Sequence, residues 1–328
     1  MQLPSYLTEK INNLFSSSKN LNLKMTRENL TDKYKNKTGK SESLIGGKGD
    51  SVTYAVTRMP ATYSVIYSLF FELLSEGLLE NVKTISDVGS GTGAGYFAIS
   101  QLASEYSLDD AGFNFSSENY NLYETSSDMI NVFNLLSDDK KISERKNILT
   151  AEIDRSDLIF SCYMLSELSV ADREKAFEKM LSNSDRYVLV IDTGTPETYK
   201  STYALKTLAE KAGFSVTAPC KSNKCTLEND YCQFYARVER SALLRQSKSA
   251  VLPYEDEKYF YMLFEKTENL NKNLSSSETA RVIRRPVIKE KQVSLVLCTD
   301  GGVTEKKVTK AEKEQFKKAK KVKINQLF

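Results

Sequence analysis

Histidine and tryptophan are both absent from the 328 residues. Without imidazole the chain lacks the side chain that most often serves as general base, proton shuttle or nitrogen ligand near neutral pH. Any metal must therefore be held by cysteine or carboxylate. No apolar run approaches the roughly 20 residues that a membrane-crossing helix needs. Met1-Gln2-Leu3-Pro4 lacks the charged start and apolar stretch of a secretory signal, and Glu9, Glu28 and Asp32 argue against an acid-poor transit peptide. These absences predict a cytoplasmic protein with no membrane partner, mitochondrial if the source is eukaryotic, and monomeric. A strong charge of one sign is missing too: 46 basic against 43 acidic residues leave a net +3, too little to make the whole chain a nucleic-acid binder.

What is present is ordinary globular composition, with 40% apolar and 27% charged residues. The length predicts one sizeable α/β core with a smaller attachment. Three regions follow: a helical segment over 1–50, a methyltransferase-like domain over 51–218, and an extension over 219–328. Leu7, Ile11 and Leu14 stand at helical spacing, and Gly46 to Gly49 reads as a flexible joint. Pro60 starts a helix running from Ala61 to Leu79. The pattern then alternates, with strands at Thr84–Val88, Asn121–Glu124, Ile148–Ile153, Asp157–Tyr163, Tyr187–Asp192 and Phe214–Ala218 and helices between them, the signature of a parallel sheet wrapped by helices. Beyond Pro219 the rhythm breaks and predicts a separate substructure: an acidic-aromatic helix at Tyr254–Phe264, a basic segment at Arg281–Arg285, and a hairpin turning at Asp300-Gly301-Gly302.

The first strand runs into Asp87-Val88-Gly89-Ser90-Gly91-Thr92-Gly93. Glycines between a strand and a helix let backbone N–H groups and a helix N-terminus approach a ligand with no side chain in the way. Gly89-x-Gly91-x-x-Ala94 fits only the looser dinucleotide fingerprint, whereas Asp-x-Gly-x-Gly-x-Gly is the form common to S-adenosylmethionine enzymes. Asp87, Gly89, Gly91, Gly93 and Glu124 are the expected cofactor residues, with Glu124, at the end of the next strand, placed for a ribose. The plain alternative for Glu124 is a surface carboxylate at a strand end. No residue has a pattern that marks it as catalytic. Cys162 has neither an adjacent proline nor a visible activator, and the polar-proline-proline-aromatic phrase of amino-directed methyltransferases is replaced by Ser161-Cys162-Tyr163-Met164.

Five cysteines occur. Cys162 sits in an apolar run as a core residue would. Cys220, Cys225 and Cys232 crowd a polar stretch, and Cys298 lies in the predicted hairpin, so four thiolates can converge. Spacing leaves tetrahedral zinc and an iron-sulfur cluster both open. Nine lysines between Lys306 and Lys323, against Glu312 and Glu314, form a basic tail suited to phosphate contacts; a solvated helix face is the plain alternative.

Several phrases together resemble one family, the methyltransferase-like assembly factors of the small ribosomal subunit. They are Tyr54-Ala55-Val56-Thr57-Arg58-Met59-Pro60-Ala61-Thr62-Tyr63, the glycine turn, Ser161 to Leu168, Asp192-Thr193-Gly194-Thr195-Pro196, Ala218-Pro219-Cys220, Asp230-Tyr231-Cys232-Gln233-Phe234, Arg237 to Ser241, Glu255 to Lys258 and Arg284-Arg285-Pro286. The resemblance implies a class I S-adenosylmethionine methyltransferase-like (Rossmann-type) fold, association with small-subunit rRNA, and a 4Fe-4S cluster on Cys220, Cys225, Cys232 and Cys298. It leaves open whether the chain methylates rRNA or serves as an RNA-binding assembly factor, to which Arg281, Arg284 and Arg285 would contribute. The chain departs from the family where histidines are usual, carrying Lys221 to Asn223 and Gln233, and where tryptophans are usual, carrying Tyr231 and Lys323-Ile324-Asn325.

Overall fold

The structure, a computed structural model, describes residues 2–18, 20–35, 46–106, 112–142, 144–221, 225–227, 230–270 and 279–328. The lead-in forms helices α1 (Ser5–Ser17) and α2 (Leu23–Lys35), with Leu7, Ile11 and Leu14 buried on one stripe of α1. The joint expected at Gly46–Gly49 is largely taken up by helix α3 (Lys48–Thr57). Asp50, in its first turn, accepts from the Gly46 N–H at 3.0 Å and pairs with Lys33 at 2.8 Å. A carboxylate at the positive end of a helix outweighs the looseness the glycines bring. Helix α4 (Met59–Ser75) is buried almost all round and runs through the core.

Strands and helices then alternate as β1 (Ile85–Val88), α5 (Ala94–Glu105), β2 (Tyr120–Tyr123), α6 (Ser127–Leu136), β3 (Ser156–Cys162), α7 (Val170–Asn183), β4 (Ser184–Thr193), α8 (Pro196–Lys211) and β5 (Phe214–Ala218). The segment before β2 lies within the described residues from Gly112 onward. The strand expected at Ile148–Ile153 is not formed. Asn147 caps a turn there, its side chain accepting from Leu149 N–H and its carbonyl from Thr150 and Ala151. An amide that bonds its own downstream backbone defeats a short apolar run.

The helix expected at Tyr254–Phe264 is instead the strand β7 (Tyr254–Lys266), for a clear reason. Tyr259 to Phe264 are six consecutive buried apolar residues, a run that suits a strand covered on both faces and lacks the polar gaps of a helix. β7 lies antiparallel between β4 and β5 in a seven-stranded sheet ordered β2-β1-β3-β4-β7-β5. β6 (Phe234–Glu239) continues along the same edge of β7 that β5 occupies, followed by helix α9 (Ala242–Lys248). The segment beyond Pro219 is therefore no separate substructure throughout, since two of its strands complete the first sheet. Parallel β2-β1-β3-β4 closed by antiparallel β7 is the class I methyltransferase-like arrangement. The chain leaves β1 for β2 on one side and returns to β3 on the other, and that reversal opens a crevice at the carboxyl ends of β1 and β3.

A second sheet joins β8 (Arg281–Val282), β9 (Val287–Ile288), β10 (Gln292–Thr299) and β11 (Gly302–Thr309), with the expected hairpin at Asp300–Gly302. Val293, Leu295 and Leu297 alternate inward from β10 and pack with Val308 against Phe316 and Ala319 of α10 (Lys313–Lys321). Among the described residues no helix is long and apolar enough to cross a membrane.

Candidate functional site

The glycine turn sits where the sheet reverses. Gly89, Gly91 and Gly93 take φ of 77°, 55° and 83°, a region that costs other residues about 1–2 kcal/mol. Their surroundings differ. A Cβ on Gly93 would lie 2.3 Å from Phe133, and one on Gly89 would lie 2.5 Å from Met164, whereas at Gly91 the nearest atom is Tyr54 Cε1 at 4.0 Å. Gly93 thus permits packing under the turn, while Gly91 faces open space.

A cavity of about 200 Å3 opens there. Gly89, Gly91 and Glu124 line it, together with Tyr34 of α2, Tyr54 of α3, Met129 of α6, the Lys146–Leu149 loop, and Cys162 to Met164 after β3. Glu124 accepts from Gly91 N–H at 2.8 Å on one oxygen and from the Thr125 and Ser126 N–H groups at 2.7 and 2.8 Å on the other. Three backbone bonds orient the carboxylate and leave acceptor capacity on a group with about four lone-pair sites. Asp87 stands behind the turn instead. Its Oδ2 takes the Tyr120 hydroxyl at 3.0 Å, and burial, opposed by that bond, pushes its pKa up to about 7. It lines a smaller hollow with Ser90 and Thr92, whose buried hydroxyls bond no protein group. Two orphaned hydroxyls beside an open glycine turn fit a polar ligand seated on it.

Sequence reasoning missed the residues that close this cavity. Tyr34 comes from α2 and lies in no motif, and Tyr54 of α3 opens one of the family phrases without a role that the sequence assigns. Tyr163, one residue beyond β3, has φ of 63°, is 8% exposed, and its hydroxyl has no partner. Left-handed tyrosine backbone costs about 1–3 kcal/mol, and an unsatisfied buried hydroxyl a similar amount. Behind Tyr163 lies Arg58, its guanidinium carbon 5.9 Å from the ring centroid and its Nη2 3.1 Å from Glu257 of β7. That ion pair joins two of the phrases singled out in the sequence across 199 positions. Cys162 keeps its proton, since burial first and then Asp87 and Asp192 hold its pKa well above the usual thiol range. A thiol so held is no nucleophile.

Cys220, Cys225 and Cys232 lie between the end of β5 and the start of β6, following a cis Ala218–Pro219 bond. Cys220, Cys225, Cys232 and Cys298 line one apolar hollow with Tyr199, Ile283 and Val303. The Tyr199 hydroxyl lies 3.4 Å from Cys225 Sγ, and Thr226 accepts from Val303 N–H at 2.8 Å, tying the loop to the hairpin that bears Cys298. Burial, then Cys298 and Cys225, push the Cys220 thiol up to about 12; burial, then Cys220 and Cys225, raise Cys232 further. Such thiols lose their protons only to a cation that compensates them. Among the described residues, no three cysteines or carboxylates close on a point where a single metal ion would be held.

The arginines expected to meet RNA are each paired with a carboxylate of the protein. Arg281 is 1% exposed; both its terminal nitrogens reach Glu76, which caps the end of α4, at 2.7 and 2.6 Å, and its Nε donates to Pro219 O at 2.9 Å. Short β8 and the chain end cover it, so a basic sequence became a buried strut. Arg284 pairs with Asp230, and Arg285 pairs with Asp256 while stacking on Tyr235. The lysines of α10 are exposed.

Among solved structures, the chain is similar to an S-adenosylmethionine-dependent methyltransferase from Aquifex aeolicus at 16% identity, covering 67% of this chain and 99% of that one with a TM-score of 0.38. It is similar to an N-methyltransferase from Bradyrhizobium japonicum at 11% identity, covering 65% and 90% with a TM-score of 0.39. Human N-acetylserotonin methyltransferase matches at 12% identity, covering 74% and 66% with a TM-score of 0.40. No curated protein matches the chain in sequence. The model of the family described as mitochondrial small ribosomal subunit Rsm22 matches residues 48–328, from α3 through both sheets to the last residue, and the chain belongs to that family.

Proposed function

We propose that the chain binds S-adenosylmethionine at the carboxyl ends of β1 and β2 and acts on the small ribosomal subunit, through its rRNA. The observation that carries this reading is the Gly91–Glu124 hydrogen bond at 2.8 Å on the wall of the cavity. It brings the expected ribose-binding carboxylate onto the glycine turn. Gly89 and Gly91 would let the cofactor approach the backbone, Glu124 would orient its ribose, and Asp87 and Gly93 would brace the turn from behind. The cofactor would supply an electrophilic methyl group. The protein's part is to orient it and exclude water under Tyr34 and Tyr54. Titration calorimetry with S-adenosylmethionine tests the pocket; no binding by the intact chain overturns it. Incubation with labelled cofactor and small-subunit rRNA separates enzyme from assembly factor, because a catalyst leaves label on the RNA and a scaffold leaves none.

Cys220, Cys225, Cys232 and Cys298 would hold a 4Fe-4S cluster of structural role. The support is the family resemblance and the four thiols around one hollow. Protein purified without air is expected to be brown with stoichiometric iron and sulfide. Colourless protein with one zinc per chain refutes the assignment.

A further inference from the structure

We infer that Tyr163 anchors a second subsite in the same cavity, where its hydroxyl donates a hydrogen bond to a carbonyl or ring nitrogen of a nucleobase from single-stranded RNA. The inference rests on the cofactor reading for what fills the rest of the cavity. Two unfavourable features coincide on this one residue: left-handed backbone at φ 63° and a buried hydroxyl without a partner. Neither is needed to end a strand. Both are retained at a position that lines the cavity, and strain of that kind gathers where a group must be aimed at a ligand.

The residue is held from two directions. Tyr163 N–H donates to Ile191 O at 2.9 Å, which pins the backbone to β4. Arg58 lies against the ring and is itself fixed by Glu257. Burial, followed by Glu257 and Cys162, raises the phenol's pKa well above its usual value, so it offers a proton and never a negative charge. The order of the sheet sets which ligand it meets. Glu124 and the glycine turn follow β2 and β1, whereas Tyr163 follows β3, on the other side of β1 from β2, with Arg58 near its ring paired to Glu257 of β7. It therefore stands on the side of the crevice away from the strand that carries the ribose carboxylate. Tyr34 and Tyr54 border the same cavity with flat rings, and every nucleobase has a π-face to stack on such surfaces. A base turned out of a strand presents both that face and an unpaired acceptor edge.

The test measures a short fluorescein-labelled single-stranded RNA by anisotropy at fixed salt, on the full chain and on Tyr163→Phe, each with and without S-adenosylhomocysteine. The phenylalanine keeps ring and backbone and removes only the hydroxyl. RNA affinity is expected to fall about tenfold with an equal or higher melting temperature, because an unsatisfied buried group has been removed. Unchanged RNA affinity overturns the proposal. So does a loss of cofactor affinity with RNA binding kept, which would assign the hydroxyl to the cofactor. Should the variant melt lower, photocrosslinking the unaltered chain to the same RNA carrying 4-thiouridine decides: an adduct on Tyr163 or Met164 supports the subsite, and adducts confined to α10 overturn it. Gly91→Val separates the two readings, since it should lose the cofactor and keep the crosslink. If the unaltered chain binds no cofactor, the cofactor reading fails, and the comparison made without S-adenosylhomocysteine still decides the subsite.

Discussion

Arg281 offers the sharpest quantitative test, because the sequence marks it as an RNA contact and the structure makes it a strut. Replacing it by methionine keeps much of the apolar stem and removes two bonds to Glu76, at 2.7 and 2.6 Å, with the bond to Pro219 O at 2.9 Å. Glu76 is then left with its carboxylate, 10% exposed, facing no cation. Breaking a buried pair from one side costs about 3–5 kcal/mol, or roughly a hundred- to several-thousand-fold in the unfolding equilibrium. Arg281 joins β8 to α4 and to the residue before Cys220, so the loss also loosens the thiol hollow. Urea titration followed by circular dichroism measures the first effect. Glu76→Leu in the same chain should recover about 0.5–3 kcal/mol, since it removes the stranded charge. Arg281→Met that loses under about 1 kcal/mol while weakening RNA binding would refute the burial argument and return Arg281 to the RNA surface.

Gly93→Ala is expected to lose about 2–5 kcal/mol, combining the left-handed penalty with overpacking against Phe133 at 2.3 Å. Gly91→Val, which meets open space, should lose less stability than Gly93→Ala while abolishing cofactor binding in a calorimetric titration. Asp87 has a folded pKa of about 7, above its unfolded value, so the folded state retains the proton longer and its contribution to stability falls as pH rises from about 4 to 7. Asp87→Asn should flatten that slope and be the more stable protein at pH 8, as urea midpoints across the range would show; parallel curves refute the burial of Asp87. Changing Lys313, Lys321 and Lys323 to glutamine should weaken single-stranded RNA binding and lower the slope of log K against log salt by about 2. An unaltered slope removes α10 from the RNA contact.

The Rsm22-family chain illustrates which features local pattern carries. The glycine turn, the β1–α5–β2 unit and the hairpin at Asp300–Gly302 were legible because each depends on neighbours within a few residues: backbone angles that only glycine tolerates, apolar spacing, and turn chemistry. The four thiols were legible as a group because their chemistry is in the residue type, and the structure draws them around one hollow. What failed did so for want of long-range information. Tyr254–Lys266 has the composition of either a helix or an inner strand, and only β4 on one side with β5 and β6 on the other decides between them. Ile148–Ile153 has a strand's residues, and the Asn147 turn that passes over Glu124 keeps it out of the sheet.

The sequence by itself determined the fold class, the place of the turn and the set of thiols, since periodicity and residue chemistry are local. Tertiary structure alone decided that Arg281 is buried against Glu76, that Tyr34 reaches from the lead-in to the cavity wall, and that Arg58 and Glu257 meet behind Tyr163. Burial and charge pairing depend on which surfaces the sheet brings together, and no spacing along the chain encodes that meeting.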